Sequence, residues 1–130
     1  MNFRALLSIT SIVAGLAGLG LLLAPTGMQQ PFGIAAERAS ASSSVAQLLG
    51  AYMISFGIVF WAIRGIASIE ATTTLAKAIS ATFVIGTGVA AMLQLKGAMG
   101  PLGWGIVGIY AVFAGLYAYF GFGRGVAAGS

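Results

Sequence analysis

The sequence contains no cysteine and no histidine, and its only acidic residues are Glu37 and Glu70. Without histidine and cysteine the usual zinc, copper and haem ligands are missing. No serine has a histidine to activate it for hydrolysis, and disulfide and thiol chemistry are excluded. We therefore expect that the protein is not an enzyme and that it holds no metal and no cofactor.

Charge of either sign is scarce. Charged residues make up 6% of the 130 residues, whereas soluble domains carry about 25%. The six Lys and Arg residues give a net charge of +4, but they are scattered and form no patch that follows a phosphate backbone, so nucleic-acid binding is not expected. An affinity for anionic lipid headgroups accounts for the charge more simply. So few charged side chains would not cover a soluble domain, and lipid is the expected solvent.

Long uncharged runs fill most of the sequence, at residues 5–24, 45–63, 78–95 and 102–122. The second run has nineteen residues, which as a helix is roughly 28 Å long, about one bilayer core. Nine of these are Leu, Ile, Val or Phe, and together they favour insertion by roughly 3–5 kcal/mol. The sequence predicts an all-α fold, a single domain over 1–130 with four transmembrane helices in an antiparallel up-down bundle.

The first run follows Arg4, an arrangement that also opens secretory signal peptides. The run is long for a signal peptide, and the nearest small-x-small pattern, at 39–41, lies fifteen residues beyond it, so we expect a retained span. Residues 25–44 form a long polar loop, with a short helical turn expected at 34–39. Ser44 and Gln47 match a capping box at the start of the second span.

The positive-inside rule orients the four predicted spans. With both termini in the cytoplasm the cations divide four to two, a modest bias for this orientation; inside lie Arg4, Arg64, Lys77 and Arg124, and outside lie Arg38 and Lys96. Interface anchors or headgroup contacts are predicted at Trp61, Arg64, Trp104 and Arg124. The only compact charged group consists of Arg64, Glu70 and Lys77. We interpret it either as a headgroup site or as an anchored helix end beside a solvated turn.

The fourth run has two contrasting faces. Aromatic residues recur with the spacing 3-4-3 at Tyr110, Phe113, Tyr117 and Phe120, and small residues recur in the same way roughly 160° away at Gly108, Ala111, Gly115 and Ala118. We expect the small face to pack inside the bundle and the aromatic face to contact a partner subunit or a hydrophobic ligand. The alternative is that the rings fill the bundle or face lipid. A second aromatic ridge is predicted on the second span at Tyr52, Phe56 and Phe60.

Small residues on the other spans predict where helices approach closely. Ser11, Gly15 and Gly18 share one arc of the first span, and Thr82, Gly86 and Ala90 share one face of the third. The complete set of predicted packing residues is Gly15, Gly18, Gly86, Ala90, Gly108 and Gly115.

At the junction of the first two spans, LLLAP followed by FG and then LLGAYMISFGIVFWAIR resembles small bacterial four-span membrane proteins of the DoxX-like type. The resemblance covers the whole layout, implies a membrane accessory component or a protein of unknown function, and carries over no catalytic residues. The location we expect is the bacterial inner membrane. The function we expect is a non-catalytic accessory or scaffold subunit that associates with a larger membrane complex or with itself. The alternative is a binder or carrier of a small hydrophobic molecule (lipid, quinone or carotenoid) entered between the second and fourth spans, and a membrane-embedded enzyme comes third.

Overall fold

The computed structural model describes residues 2–66, 68–97 and 100–123. The helices are α1 (Phe3–Leu23), α2 (Pro25–Gln29), α3 (Ala36–Ala41), α4 (Ser43–Ile63), α5 (Ile69–Leu95) and α6 (Gly103–Phe122), with a 3₁₀ turn at Gln30–Phe32. The described residues form no strand, so the predicted all-α fold is confirmed. By length and composition α1, α4, α5 and α6 can each cross a membrane, and the chain is an integral membrane protein with a helical bundle. We call the end that carries Phe3 and Phe122 the terminal end, and the end that carries α2 and α3 the loop end.

Several helix ends differ from the uncharged runs. α5 begins at Ile69, nine residues before the third run, because Ser68 caps it by accepting a hydrogen bond from the Ala71 N–H at 3.3 Å. The predicted capping box at Ser44 and Gln47 is wrong: α4 begins at Ser43, and the Gln47 amide donates to the carbonyl of Leu22 at 3.3 Å. The helical turn expected at 34–39 is the helix at Ala36–Ala41.

The hairpin of α1 and α4 is packed backbone against backbone. A methyl group added to Gly18 would lie 2.7 Å from the Gly50 carbonyl oxygen, and one added to Gly50 would lie 2.6 Å from the Gly18 oxygen. Gly57 faces Ser11 in the same way, with the Ser11 hydroxyl donating to the Gly57 carbonyl at 2.6 Å. Small residues permit this close approach. In lipid no hydrophobic effect drives helices together, and the packing contacts made at this distance stabilise the pair instead.

In the hairpin of α5 and α6, side chains also enter gaps between the helices. A methyl group on Gly86 would lie 2.9 Å from the ring of Tyr110, so the glycine makes room for the ring. The Ser80 hydroxyl donates to the Ala114 carbonyl at 2.9 Å. Gly86 and the buried Ala90 therefore lie at the contact, whereas Thr82 of the same predicted face is exposed.

The two hairpins join through a core near the terminal end. Its buried residues are Phe3, Leu6 and Leu7 of α1, Ala76 and Ile79 of α5, and Tyr117 and Phe120 of α6. At the loop end the Gly100 N–H donates to the carbonyl of Phe32. Gly33 follows with φ of +75°, a left-handed conformation that favours glycine. The long loop thus fastens one hairpin to the other.

Ser11→Ala is expected to lower the free energy of unfolding by about 0.6–1.7 kcal/mol, from the mean to the maximum measured for hydrogen bonds between transmembrane helices. The control is Ser55→Ala, since the Ser55 hydroxyl is exposed and bonds within its own helix to Ala51. Unfolding by SDS in mixed micelles, followed by circular dichroism, measures both. Equal stability of the two variants would show that the bond between α1 and α4 contributes nothing.

Candidate functional site

The aromatic row of α6 lies inside the bundle. Tyr117 has no exposed surface and Phe120 is 2% exposed, while Tyr110 and Phe113 are half-buried. Tyr117 stacks on Phe83 of α5 with ring centroids 5.9 Å apart, and Phe3 of α1 meets it edge-on at 6.0 Å. The prediction that this row contacts a partner or ligand is therefore wrong for Tyr117 and Phe120, whose rings fill the bundle, and it stays a prediction for the half-buried Tyr110 and Phe113.

The Tyr117 hydroxyl is satisfied within the chain. Its oxygen lies 2.7 Å from the Thr10 hydroxyl, which is 2.9 Å from the carbonyl of Leu6. Thr10 donates to Leu6, so the hydrogen between the two hydroxyls comes from Tyr117. A buried tyrosine needs such a partner, and this one ties α6 to α1 rather than to a ligand.

The small face of α6 lies outside. Gly108, Ala111 and Gly115 are exposed, and a methyl group added to either glycine would meet nothing within 4 Å. The prediction that Gly108 and Gly115 pack helices inside the bundle is wrong. The physical reason is that α5 places Ser80 and Gly86 at the contact, so α6 can direct rings such as that of Tyr110 toward it.

The ridge of α4 lies partly on the outer surface. Tyr52 is 58% and Phe56 57% exposed, whereas Phe60 is half-buried against the core. Phe56 and Phe60 stack with centroids 6.3 Å apart. The buried Gly50 and Gly57 occupy the opposite side of α4, so contact with α1 is what turns Tyr52 and Phe56 outward.

A shallow groove runs beside the contact of α1 and α4. It encloses about 260 Å³ and is lined by Ser11, Gly15, Ile54, Gly57, Ile58 and Trp61. A methyl group on Gly15 would meet nothing within 4 Å, so this glycine lies beside the crossing but faces open space. The Arg64 guanidinium lies over the Trp61 ring at 3.6 Å from its centroid. The groove therefore has a cation fixed at its terminal end.

The predicted interface residues lie at opposite ends of the bundle. Trp61 and Arg64 are at the terminal end of α4, while Trp104, 52% exposed, lies in the first turn of α6 at the loop end. The Lys77 ammonium lies 5.2 Å from the centroid of the Phe122 ring. Arg64 follows α4, whereas Glu70 and Lys77 lie on α5, so the predicted charged group is divided between two helices. Arg124 lies outside the described residues.

Sequence reasoning missed Thr10, Ser80 and Phe83. Thr10 and Ser80 have a signal in the sequence, because a hydroxyl within an apolar helix needs an acceptor. Thr10 and Ser80 lie at the depth of the last turns of α6, where Tyr117 and the Ala114 carbonyl are found. Phe83 carries no such signal, since a single ring on α5 is as compatible with lipid as with the core.

The described polar groups offer little chemistry. Glu37 lies in α3 at the loop end and Glu70 in the first turn of α5 at the terminal end, so the two carboxylates are separated by the length of the bundle. The hydroxyls of Ser11, Ser80 and Thr10 each donate to a backbone carbonyl. Candidate surfaces among the described residues include the glycine face of α6, the outer ridge of α4 and the groove of α1 and α4. Comparison of the chain with protein-family models, with curated proteins and with solved structures finds no match.

Proposed function

We propose that the chain is a non-catalytic subunit of a membrane assembly, and that it pairs with a second copy of itself through the outer face of α6. The observation that carries the proposal is the row of Gly108, Ala111 and Gly115, exposed on that face with open space over both glycines. Glycine leaves a helix surface flat enough for another backbone to approach closely.

The glycines inside the bundle show that a glycine surface permits close contact with a neighbouring helix in this chain. Gly18 and Gly50 touch each other's backbones, and Gly121 approaches the backbone of Lys77, where an added methyl group would lie 2.9 Å from its nitrogen. Each of these glycines permits a contact. Gly108 and Gly115 share one face with Ala111, and a methyl group on either glycine would meet none of the described residues, which favours a neighbouring helix over acyl chains.

A second copy is the simplest partner for this face. Two chains of equal topology related by a twofold axis along the membrane normal bring the same patch together at the same depth. A small face against a small face needs no complementary side chains from another protein.

We also propose the bacterial inner membrane as the location, with both termini cytoplasmic. Among the described cations, Arg4, Arg64 and Lys77 lie at the terminal end, and Arg38 and Lys96 at the loop end. The positive-inside rule places the richer end in the cytoplasm. The DoxX-like resemblance points to the same membrane.

The alternative of a hydrophobic-molecule carrier keeps one supporting observation. Tyr117 and Phe120 are buried in the protein's own core, so they offer no surface to a ligand. The close helix pairs are α1 with α4 and α5 with α6, and nothing supports entry of a ligand between α4 and α6. The groove of α1 and α4 is instead an apolar opening toward lipid.

Cysteine cross-linking tests the pairing directly, because the chain has no native cysteine. Gly108→Cys and Gly115→Cys are expected to give disulfide-linked dimers when membranes are treated with a mild oxidant. Gly88→Cys is the matched control: it replaces another exposed glycine whose added methyl group meets nothing. Since Gly86 lies beside Tyr110, Gly88 is at about the depth of Gly108. Cross-linking at Gly88 equal to that at Gly108 and Gly115, or none at any position, would contradict the proposal.

A further inference from the structure

The contact of α1 and α4 follows a seven-residue step. Gly18 faces Gly50, and seven residues closer to the terminal end Ser11 faces Gly57. One more step of seven leads to Arg4 on α1 and to Arg64 at the end of α4. Seven residues are close to two helical turns, so each step returns to the same face and moves about 10 Å along the bundle. The register therefore places Arg4 and Arg64 at one level along the hairpin, one on each helix.

These cations stand at the terminal end of the groove. The lining runs along α4 from Ile54 to Trp61, about 10 Å of helix, and Arg64 lies one turn further. The stacking of Arg64 on Trp61 at 3.6 Å links the cation to a wall of the groove. The guanidinium fork donates two parallel hydrogen bonds to a phosphate, and Arg4 on the opposite helix adds a second such donor.

An apolar groove beside two cations fits a ligand that has both an apolar chain and an anionic group. We propose that the groove binds one anionic phospholipid, with an acyl chain along Gly15, Ile58 and Trp61 and with the phosphate between Arg4 and Arg64. Charge complementarity selects this occupant over a neutral lipid. The site is on α1 and α4, away from the α6 face assigned to self-association, so loss of either property leaves the other intact.

Trp61 is a built-in reporter for this site. The chain has two tryptophans, so Trp104→Phe leaves Trp61 as the only one. The protein is placed in phosphatidylcholine vesicles containing a small fraction of phosphatidylglycerol with brominated acyl chains, which quench tryptophan on contact. Half-maximal quenching is expected at a mole fraction roughly thirtyfold lower for brominated phosphatidylglycerol than for brominated phosphatidylcholine, as attraction of a lipid to two surface cations implies.

Substitutions of the two arginines test the contact with the lipid headgroup, and a substitution in the groove tests the contact with the acyl chain. Arg4→Gln with Arg64→Gln is expected to abolish the preference for phosphatidylglycerol, whereas Arg64→Lys retains part of it by keeping the charge without the fork. Gly15→Leu fills the groove and should raise the half-maximal mole fraction of phosphatidylglycerol several-fold. Gly88→Leu, which adds the same side chain over open space on α5, should leave it unchanged. Circular dichroism confirms that each variant is folded.

Equal quenching by the two lipids, or a preference that persists in the double Gln variant, would overturn the proposal. Soluble glycerol phosphate provides a further arm. If it displaces brominated phosphatidylglycerol at millimolar concentration, the cations bind a free phosphate and the groove does not contribute. The proposal requires that it does not displace the lipid.

Discussion

Tyr117→Ala is expected to lower the free energy of unfolding by about 3–5 kcal/mol, the cost of truncating a fully buried aromatic side chain. The ring has no exposed surface and lies against Phe3 and Phe83 from two other helices. Removing it leaves a cavity where the hairpins meet and deprives the Thr10 hydroxyl of its donor. Unfolding by SDS in mixed micelles, followed by circular dichroism, gives the value.

Tyr119→Ala is the matched control for Tyr117→Ala. Tyr119 lies two residues further along α6 and is 56% exposed, so its truncation is expected to change stability by less than about 1 kcal/mol. Tyr117→Phe isolates the hydroxyl and should cost about 0.6–1.7 kcal/mol. If Tyr117→Ala is no more destabilising than Tyr119→Ala, the aromatic row does not form the core.

The second large effect comes from one methyl group. Gly50→Ala is expected to destabilise the bundle by about 1–3 kcal/mol, as overpacking does. The added carbon would lie 2.6 Å from the Gly18 oxygen and 2.9 Å from the Leu22 nitrogen. Both atoms belong to the backbone of α1, so no side-chain rotation relieves the clash and the two helices must separate.

The same substitution at Gly88 separates clash from helix propensity. Gly88→Ala adds a methyl group where nothing lies within 4 Å, and alanine is the better helix former. Gly88→Ala is expected to leave stability unchanged or slightly raised, opposite in sign to Gly50→Ala in the same SDS titration. A loss at Gly88 as large as at Gly50 would show that close backbone contact is not what holds α1 against α4.

The helices follow from the sequence because uncharged runs long enough to span a bilayer leave few other structures. The face of α1 toward its neighbour was also predictable, since Ser11 and Gly18 lie on the only arc rich in small residues. The start of α5 was not, because its first turns carry Glu70 and Lys77 and lie outside any uncharged run. Charge marks where a helix leaves the apolar region, not where it ends.

The orientation of α6 could not be predicted from α6 alone. Its glycine face and its aromatic face are both compatible with the interior, and the choice depends on the facing helix. Gly86 leaves room for the Tyr110 ring, and Thr10 provides the acceptor for Tyr117. Both of these residues lie on other helices, so only their placement in three dimensions decides which face of α6 is buried.

The most direct test of this account is the oxygen accessibility of spin labels along α6, measured by electron paramagnetic resonance in nanodiscs that hold a single copy of the protein. Single cysteines carrying the label are placed at Gly108, Ala111 and Gly115 and at Phe113, Tyr117 and Phe120. We expect high accessibility at the first three positions and low accessibility at the other three, with the period of a helix. The reverse phase, or accessibility without periodic variation, would contradict the placement of the aromatic row inside the bundle and of the glycine face outside.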